Sequence, residues 1–154
     1  MTNPIPARVE CQMLIRKPVE AVFKAFIDPE ITTQFWFTKS SGPLEAGKTL
    51  LWEWEMYGAE TRVQVKDIVP DKSISLLWGD PQTTVDFDFQ PLSGDTTYVV
   101  IKNYGFQLTG DRLIEAIKDN TGGFTTVLDG LKAFLEHGIR LNLIADKFPK
   151  RLQK

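Results

Sequence analysis

The sequence predicts an α+β fold in which a curved, six-stranded antiparallel sheet wraps around a long C-terminal helix, with short helices after the first strand. Three observations carry that expectation. Helical patterns stand near both ends, at Pro18–Phe37 and Gly122–Gly138. About seventy residues of strand-like alternation lie between them, and turn residues punctuate that stretch at hairpin-like intervals.

The first strand is expected over Arg8–Arg16, where Val9, Cys11, Met13 and Ile15 alternate, although both faces become apolar near Met13–Ile15. Pro18 suits the first turn of a helix, where its missing N–H costs nothing, and Val22, Phe23, Phe26 and Ile27 form an apolar stripe through Pro18–Ile27. Asp28–Pro29 ends that helix. A second short one is expected from Pro29 or Glu30, bringing Ile31, Phe35 and Trp36 against the rest.

Ser40–Gly47 reads as turns. Beyond it Leu50, Trp52, Trp54 and Met56 point one way, and Leu51, Glu53 and Glu55 the other. Tyr57–Gly58 turns the chain into Glu60–Val69, with Thr61, Val63 and Val65 on one face, completing a hairpin. Three more strands follow: Ser73–Trp78 with Ile74, Leu76 and Trp78 aligned, Thr83–Gln90 with Val85, Phe87 and Phe89, and Thr96–Asn103 with Thr97, Val99 and Ile101. The turns between them are Pro70–Asp71, Gly79–Pro81 and Ser93–Asp95.

Phe106–Gly110 is a connector, and Asp111–Asp119 is expected as a separate short helix with Leu113, Ile114 and Ile117 on one side. The whole segment Tyr104–Asn120 is either a lid over one mouth of the interior or ordinary packing. In the final helix Phe124, Val127, Leu128, Leu131, Phe134 and Leu135 recur at three and four residues, with Asn120 or Thr121 as its cap. Gly138 marks its end, or the helix continues through Ile139–Phe148 to Pro149. Gly130 interrupts the apolar stripe, which implies either a close backbone approach to the sheet or first helix, or room for a ligand.

The 154 residues suit one domain, 1–154, able to bury a core without a metal or a disulfide. Four Trp, ten Phe and three Tyr supply large apolar areas that pack a core or line a cavity. The formal charge of -2, with no basic block, argues against nucleic acid as a partner. Met1–Pro6 has no leader-like pattern, and no apolar run approaches a membrane span, so a cytoplasmic protein is expected. Cys11 is the sole cysteine and His137 the sole histidine. A cysteine-based metal site is excluded, Cys11 is expected as a buried thiol, and His137 as a helix-end residue.

The run Pro18 to Phe26, then Asp28-Pro29-Glu30, then Phe35-Trp36-Phe37, resembles the start of the family related to the activator of the Hsp90 ATPase, within the START-like or Bet v 1-like superfamily. Leu44 to Glu53 looks like that family's glycine turn into the second strand. Gly123-Phe124, Val127-Leu128, Leu131-Lys132 and Phe134 to Glu136, closing on Gly138, resemble its C-terminal helix, with Phe124 where members often carry tryptophan. The resemblance runs from Val9 to Gly138 and implies the helix-grip fold. Members that stimulate Hsp90 use a separate N-terminal region too. The sequence predicts none here, so the resemblance does not carry co-chaperone activity with it.

The resemblance also implies an apolar or amphipathic small molecule held between sheet and final helix, in a sensing or stress-response module. Trp36, Trp52, Trp54, Val63, Val65, Trp78, Phe87, Val99, Phe124, Leu128 and Leu131 are the candidate lining residues, each equally suited to an ordinary core. Two alternatives stand beside this. A protein-interaction domain, acting on a chaperone or as a homodimer, predicts a filled interior and an exposed apolar patch. A cyclase, lyase or hydrolase needs an ionisable group facing inward, yet Glu53, Glu55, Arg62, Asp86 and Asp88 fall out of phase with the apolar set. No catalytic residue, cofactor or metal is therefore assigned: the glycines at 105, 110, 122 and 123 fit no phosphate-binding motif and are expected at turns.

Overall fold

The strand-like alternation forms one antiparallel sheet in the order β1-β7-β6-β5-β4-β3-β2, gripping a helix that runs along its concave face. The computed structural model describes residues 7–149, so Met1–Pro6 and its leader reading lie outside the described residues, as do residues 150–154. The elements are β1 Arg8–Ile15, α1 Val19–Ile27, α2 Pro29–Thr32, β2 Lys39–Ser40 and β3 Thr49–Trp54. They continue with β4 Ala59–Val69, β5 Ser73–Trp78, β6 Thr83–Ser93, β7 Thr96–Tyr104, α3 Gly110–His137 and α4 Leu143–Lys147. This is the helix-grip arrangement. One face of the alternation is buried throughout, from Val9 and Cys11 through Val99, Ile101, Phe87, Leu76 and Val65 to Leu50 and Trp52.

Pro18 caps α1 at its start, and the helix buries Val22, Ala25 and Phe26. The Asp28 carboxylate accepts the Glu30 N–H at 3.0 Å and so opens α2. The buried Thr32 hydroxyl donates to the Ala25 and Asp28 carbonyls at 2.6 and 3.0 Å, fastening α2 to the end of α1. The following residues drop Phe35, Trp36 and Phe37 into the core. Trp36 meets the rings of Phe26, Trp52, Trp78, Phe87 and Phe124 with centroids 5.0–6.4 Å away, and Phe37 stacks on Trp52 at 4.4 Å.

Several expectations are corrected. The sheet has seven strands rather than six, because β2 is only two residues long, pairing Lys39 with Glu53 and Ser40 with Trp52, and so carries no periodicity. β3 ends at Trp54, and Met56 falls in a 3-10 turn, Glu55–Tyr57. The short helix and the final helix are one 28-residue α3. Asn120 and Thr121 do not cap it but donate within it, to the carbonyls of Ala116 at 2.8 Å and Ile117 at 2.6 Å. Gly122 and Gly123 lie within its span rather than in turns, since packing along the sheet outweighs two unfavourable propensities, whereas Gly110 opens it with a left-handed φ of 59°.

Lastly, the helix does not run on past Gly138. That residue takes a left-handed φ of 66° and donates to Phe134 O at 2.8 Å, closing the helix. The chain then bends back, turns again at Asn142 with φ 56°, and forms α4.

Helix α3 is fastened along β1. Lys132 Nζ donates to Leu14 O at 2.8 Å and to Glu136 Oε2 at 2.6 Å, and the same carboxylate oxygen accepts the Arg16 N–H at 2.9 Å. Gly130 marks a close approach, to the strip after α2 rather than to the sheet or first helix. A Cβ there would stand 3.2 Å from Phe35 O and 3.3 Å from Phe35 Cβ.

Candidate functional site

The aromatic core fills the space beneath the C-terminal half of α3, and the N-terminal half lies along β1. A cavity of about 640 Å³ opens between the β3–β4 hairpin, the end of β5, α3 and α4. Trp54, Tyr57 and Ala59 come from the hairpin, Trp78 from β5, Trp36 from the strip after α2, and Asn120, Phe124 and Val127 from α3. Ile144, Lys147 and Phe148 close it from the C-terminal side. A second lobe of about 400 Å³ adjoins, sharing Trp54, Ala59, Trp78 and Asn120 and reaching Thr83, Phe106 and Leu108. Six aromatic side chains stand in the wall, with the Trp78 and Phe124 rings 5.3 Å apart.

Charge sits at the rim. Lys118 pairs with Glu115 at 3.1 Å, and that hydrogen bond, with the glutamate's charge, raises the lysine's pKa. Lys147 Nζ donates to Thr126 Oγ1 at 3.1 Å, and Asp119 stands beside them on the wall. Asn103, fully buried at the end of β7, donates to Thr83 Oγ1 and Thr84 O, both at 2.9 Å. Because Thr84 O can only accept, this fixes the orientation of the amide. Its Oδ1 has no hydrogen-bond partner among the described residues and is enclosed, so it offers the cavity no acceptor.

Of the eleven candidate lining residues, Trp36, Trp54, Trp78 and Phe124 line the cavity. Trp52, Val63, Val65, Phe87, Val99, Leu128 and Leu131 are buried in the packed interior instead. Alternation identifies the inward face of a strand but not how far along it the helix makes contact. Tyr57, Asn120, Ile144 and Phe148 are wall residues that the sequence reasoning missed. Two apolar residues beyond a helix-ending glycine, Ile144 and Phe148, were the available signal for them.

Within Tyr104–Asn120, Phe106, Leu108, Ala116 and Asn120 wall the second lobe, and Ile117 packs on the core. Cys11 is buried, its Sγ 3.5 Å from Thr121 O and 3.4 Å from Thr125 Oγ1. No three His, Cys, Asp or Glu side chains gather into a metal-binding group among the described residues. No helix among them is long and apolar enough to cross a membrane.

No curated protein matches the chain. Among solved structures, protein SSP2350 from Staphylococcus saprophyticus is 28% identical, with a TM-score of 0.77 over 88% of this chain and 96% of that one. The Aha1 dimer from Colwellia psychrerythraea is 17% identical, with a TM-score of 0.71 over 86% and 98%. DynU16, described as a putative protein in the dynemicin biosynthetic locus, is 18% identical with a TM-score of 0.77, over 86% of this chain and 48% of its own. Residues 16–136 match the family described as activator of Hsp90 ATPase homolog 1-like protein, from the end of β1 to the last turn of α3, and the chain belongs to that family.

Proposed function

We propose that the protein binds an apolar or amphipathic small molecule with a flat aromatic portion, in the cavity between the sheet and α3. One observation carries the reading: the indoles of Trp36, Trp54 and Trp78 converge on a space of about 640 Å³, within the range of pockets that enclose drug-sized ligands. Such surfaces favour ring stacking, and the rim charges of Lys118, Asp119 and Lys147 suit a polar end left near solvent. The test is a titration with the neutral fluorophore N-phenyl-1-naphthylamine, read by quenching of tryptophan emission. Saturable one-to-one binding that weakens in W78A supports the proposal, and the absence of saturable binding sinks it.

A second reading, a protein-interaction domain acting on a chaperone or as a homodimer, is supported by the family match and by the Aha1 dimer among the structural relatives. Ile114 favours it in this chain: it is 65% exposed on α3 and, with Leu113 and Ile117, borders a shallow groove beside Arg8 and Glu10 of β1. Light scattering and Hsp90 ATPase assays on the wild type and I114D test it. A monomer that leaves Hsp90 turnover unchanged removes its support.

A further inference from the structure

We propose that the C-terminal strap, Ile139–Phe148, is a hinged lid, and that Ile144 and Phe148 close on the ring face of the molecule held beneath them. This rests on the ligand-binding reading above. The strap lies wholly beyond the residues matched by the family, yet it supplies Ile144, Lys147 and Phe148 to the cavity wall. Access to the cavity is thus governed by an element that the matched region does not include.

The strap is built to swing. Its first stretch, 139–141, is flanked by two left-handed residues, Gly138 and Asn142, and there Ile139 and Leu141 are 50% and 48% exposed, so the connecting stretch is not packed down. Its helix, α4, has five residues and buries none of them, far short of the length at which a helix persists alone. Segments with few buried contacts open at a free energy well below that of the whole fold.

Ile144 is partly buried against the core, and a few polar and ring contacts add to what holds the strap. The Tyr57 hydroxyl donates to Ile144 O, the Tyr57 and Phe148 rings meet edge to face at 6.3 Å, and Lys147 reaches Thr126. On the side away from the cavity, Leu143 Cδ1 lies 3.8 Å from where a Cβ on Gly130 would stand, seated in the notch that this glycine leaves. The strap brings Phe148 and Ile144 into the same wall as Trp54 and Trp78, so a flat ring held there meets apolar side chains from both the sheet and the strap. Phe148 is 61% exposed and gains apolar contact against a bound ring.

Two measurements on the full chain test this, with N-phenyl-1-naphthylamine as the probe. Hydrogen exchange should show amides of Ile139–Phe148 exchanging faster than those of Val127–Leu135 in the free protein. The probe should slow the strap by about fivefold or more, with little change in Val127–Leu135. In stopped-flow fluorescence, Leu143→Ala, which loosens the strap from outside the cavity, should raise the probe's dissociation rate several-fold. Tyr57→Phe, which keeps the ring and removes the hydrogen bond to Ile144, should raise it about fivefold and serves if L143A does not fold.

Binding with unchanged strap exchange and unchanged dissociation in both variants overturns the lid and leaves the cavity reading standing. Failure of the wild type to bind the probe overturns both.

Discussion

The same substitution at two positions of α3 should change stability in opposite directions. Gly123 and Gly130 lie two turns apart within the helix, and replacing either with alanine recovers about 1 kcal/mol of helix preference. At Gly123 an added Cβ meets nothing within 4 Å, so G123A should stabilise the protein by about that amount. At Gly130 the new methyl would press on Phe35 O at 3.2 Å and Phe35 Cβ at 3.3 Å. Phe35 cannot retreat freely, because its ring packs edge-on to Phe26 at 5.6 Å and its backbone N–H is bonded to Thr32 O.

Overpacking of this kind costs about 1–3 kcal/mol, leaving G130A between neutral and about 2 kcal/mol destabilised. The two variants should therefore differ by about 1–3 kcal/mol. Urea unfolding followed by far-UV circular dichroism would register that as a midpoint separation of about 1 M for a typical slope. G122A is an internal control, because its Cβ would meet only the mobile end of Lys147, at 3.2 Å, and should behave like G123A. If G130A proves as stable as G123A, the close approach of α3 to the strip after α2 is not what requires glycine.

Other expectations follow from groups away from the cavity. The Tyr104 hydroxyl donates to Asp86 Oδ2 at 2.7 Å, and that bond, with partial burial and the charges of Asp86 and Asp88, has its pKa pushed up to about 12. An absorbance titration should show one late phenol, which D86N returns toward 10. A raised phenol stabilises the fold below the unfolded value and loses that contribution as pH climbs from there through the folded one. Burial alone would push the Glu136 carboxyl up, but hydrogen bonds from Lys132 and Arg16 N–H and the charge of Lys132 outweigh it and hold it below its ordinary value. Its contribution is thus complete above the unfolded carboxylate pKa and lost as pH falls through the folded one; E136Q should cost about 1–3 kcal/mol at neutral pH and flatten the acid limb of a stability profile. W36A, which empties the centre of the aromatic cluster, should lose about 3–5 kcal/mol in the same urea assay without altering strand pairing.

Where the chain repeats a period, the sequence was informative. Val85, Phe87 and Phe89, or Leu128 and Leu131, face inward because no other side of their element is apolar. What escaped was set by length and by distant neighbours. Lys39 and Ser40 pair with β3 only because α2 delivers them to its edge, and two residues show no alternation. Gly122 and Gly123 argue locally for a break, yet the helix passes through them because Ile117 on one side and Phe124 on the other both pack on the core. The site was half legible for the same reason: Trp54 and Trp78 were identifiable as inward-facing, but that they line a space while Trp52 and Leu131 do not depends on how closely α3 approaches the sheet at each level.

The length of α3 has a structural cost. Twenty-eight residues of helix span about 42 Å, whereas the nine residues of β7 span about 30 Å, so the helix is roughly two turns longer than that strand. The cavity wall that α3 supplies comes from its middle, Lys118–Val127, and its first turns lie beside Arg8 and Glu10 of β1. A helix longer than any one strand can thus rest along β1 near both ends and still border a hollow along its middle.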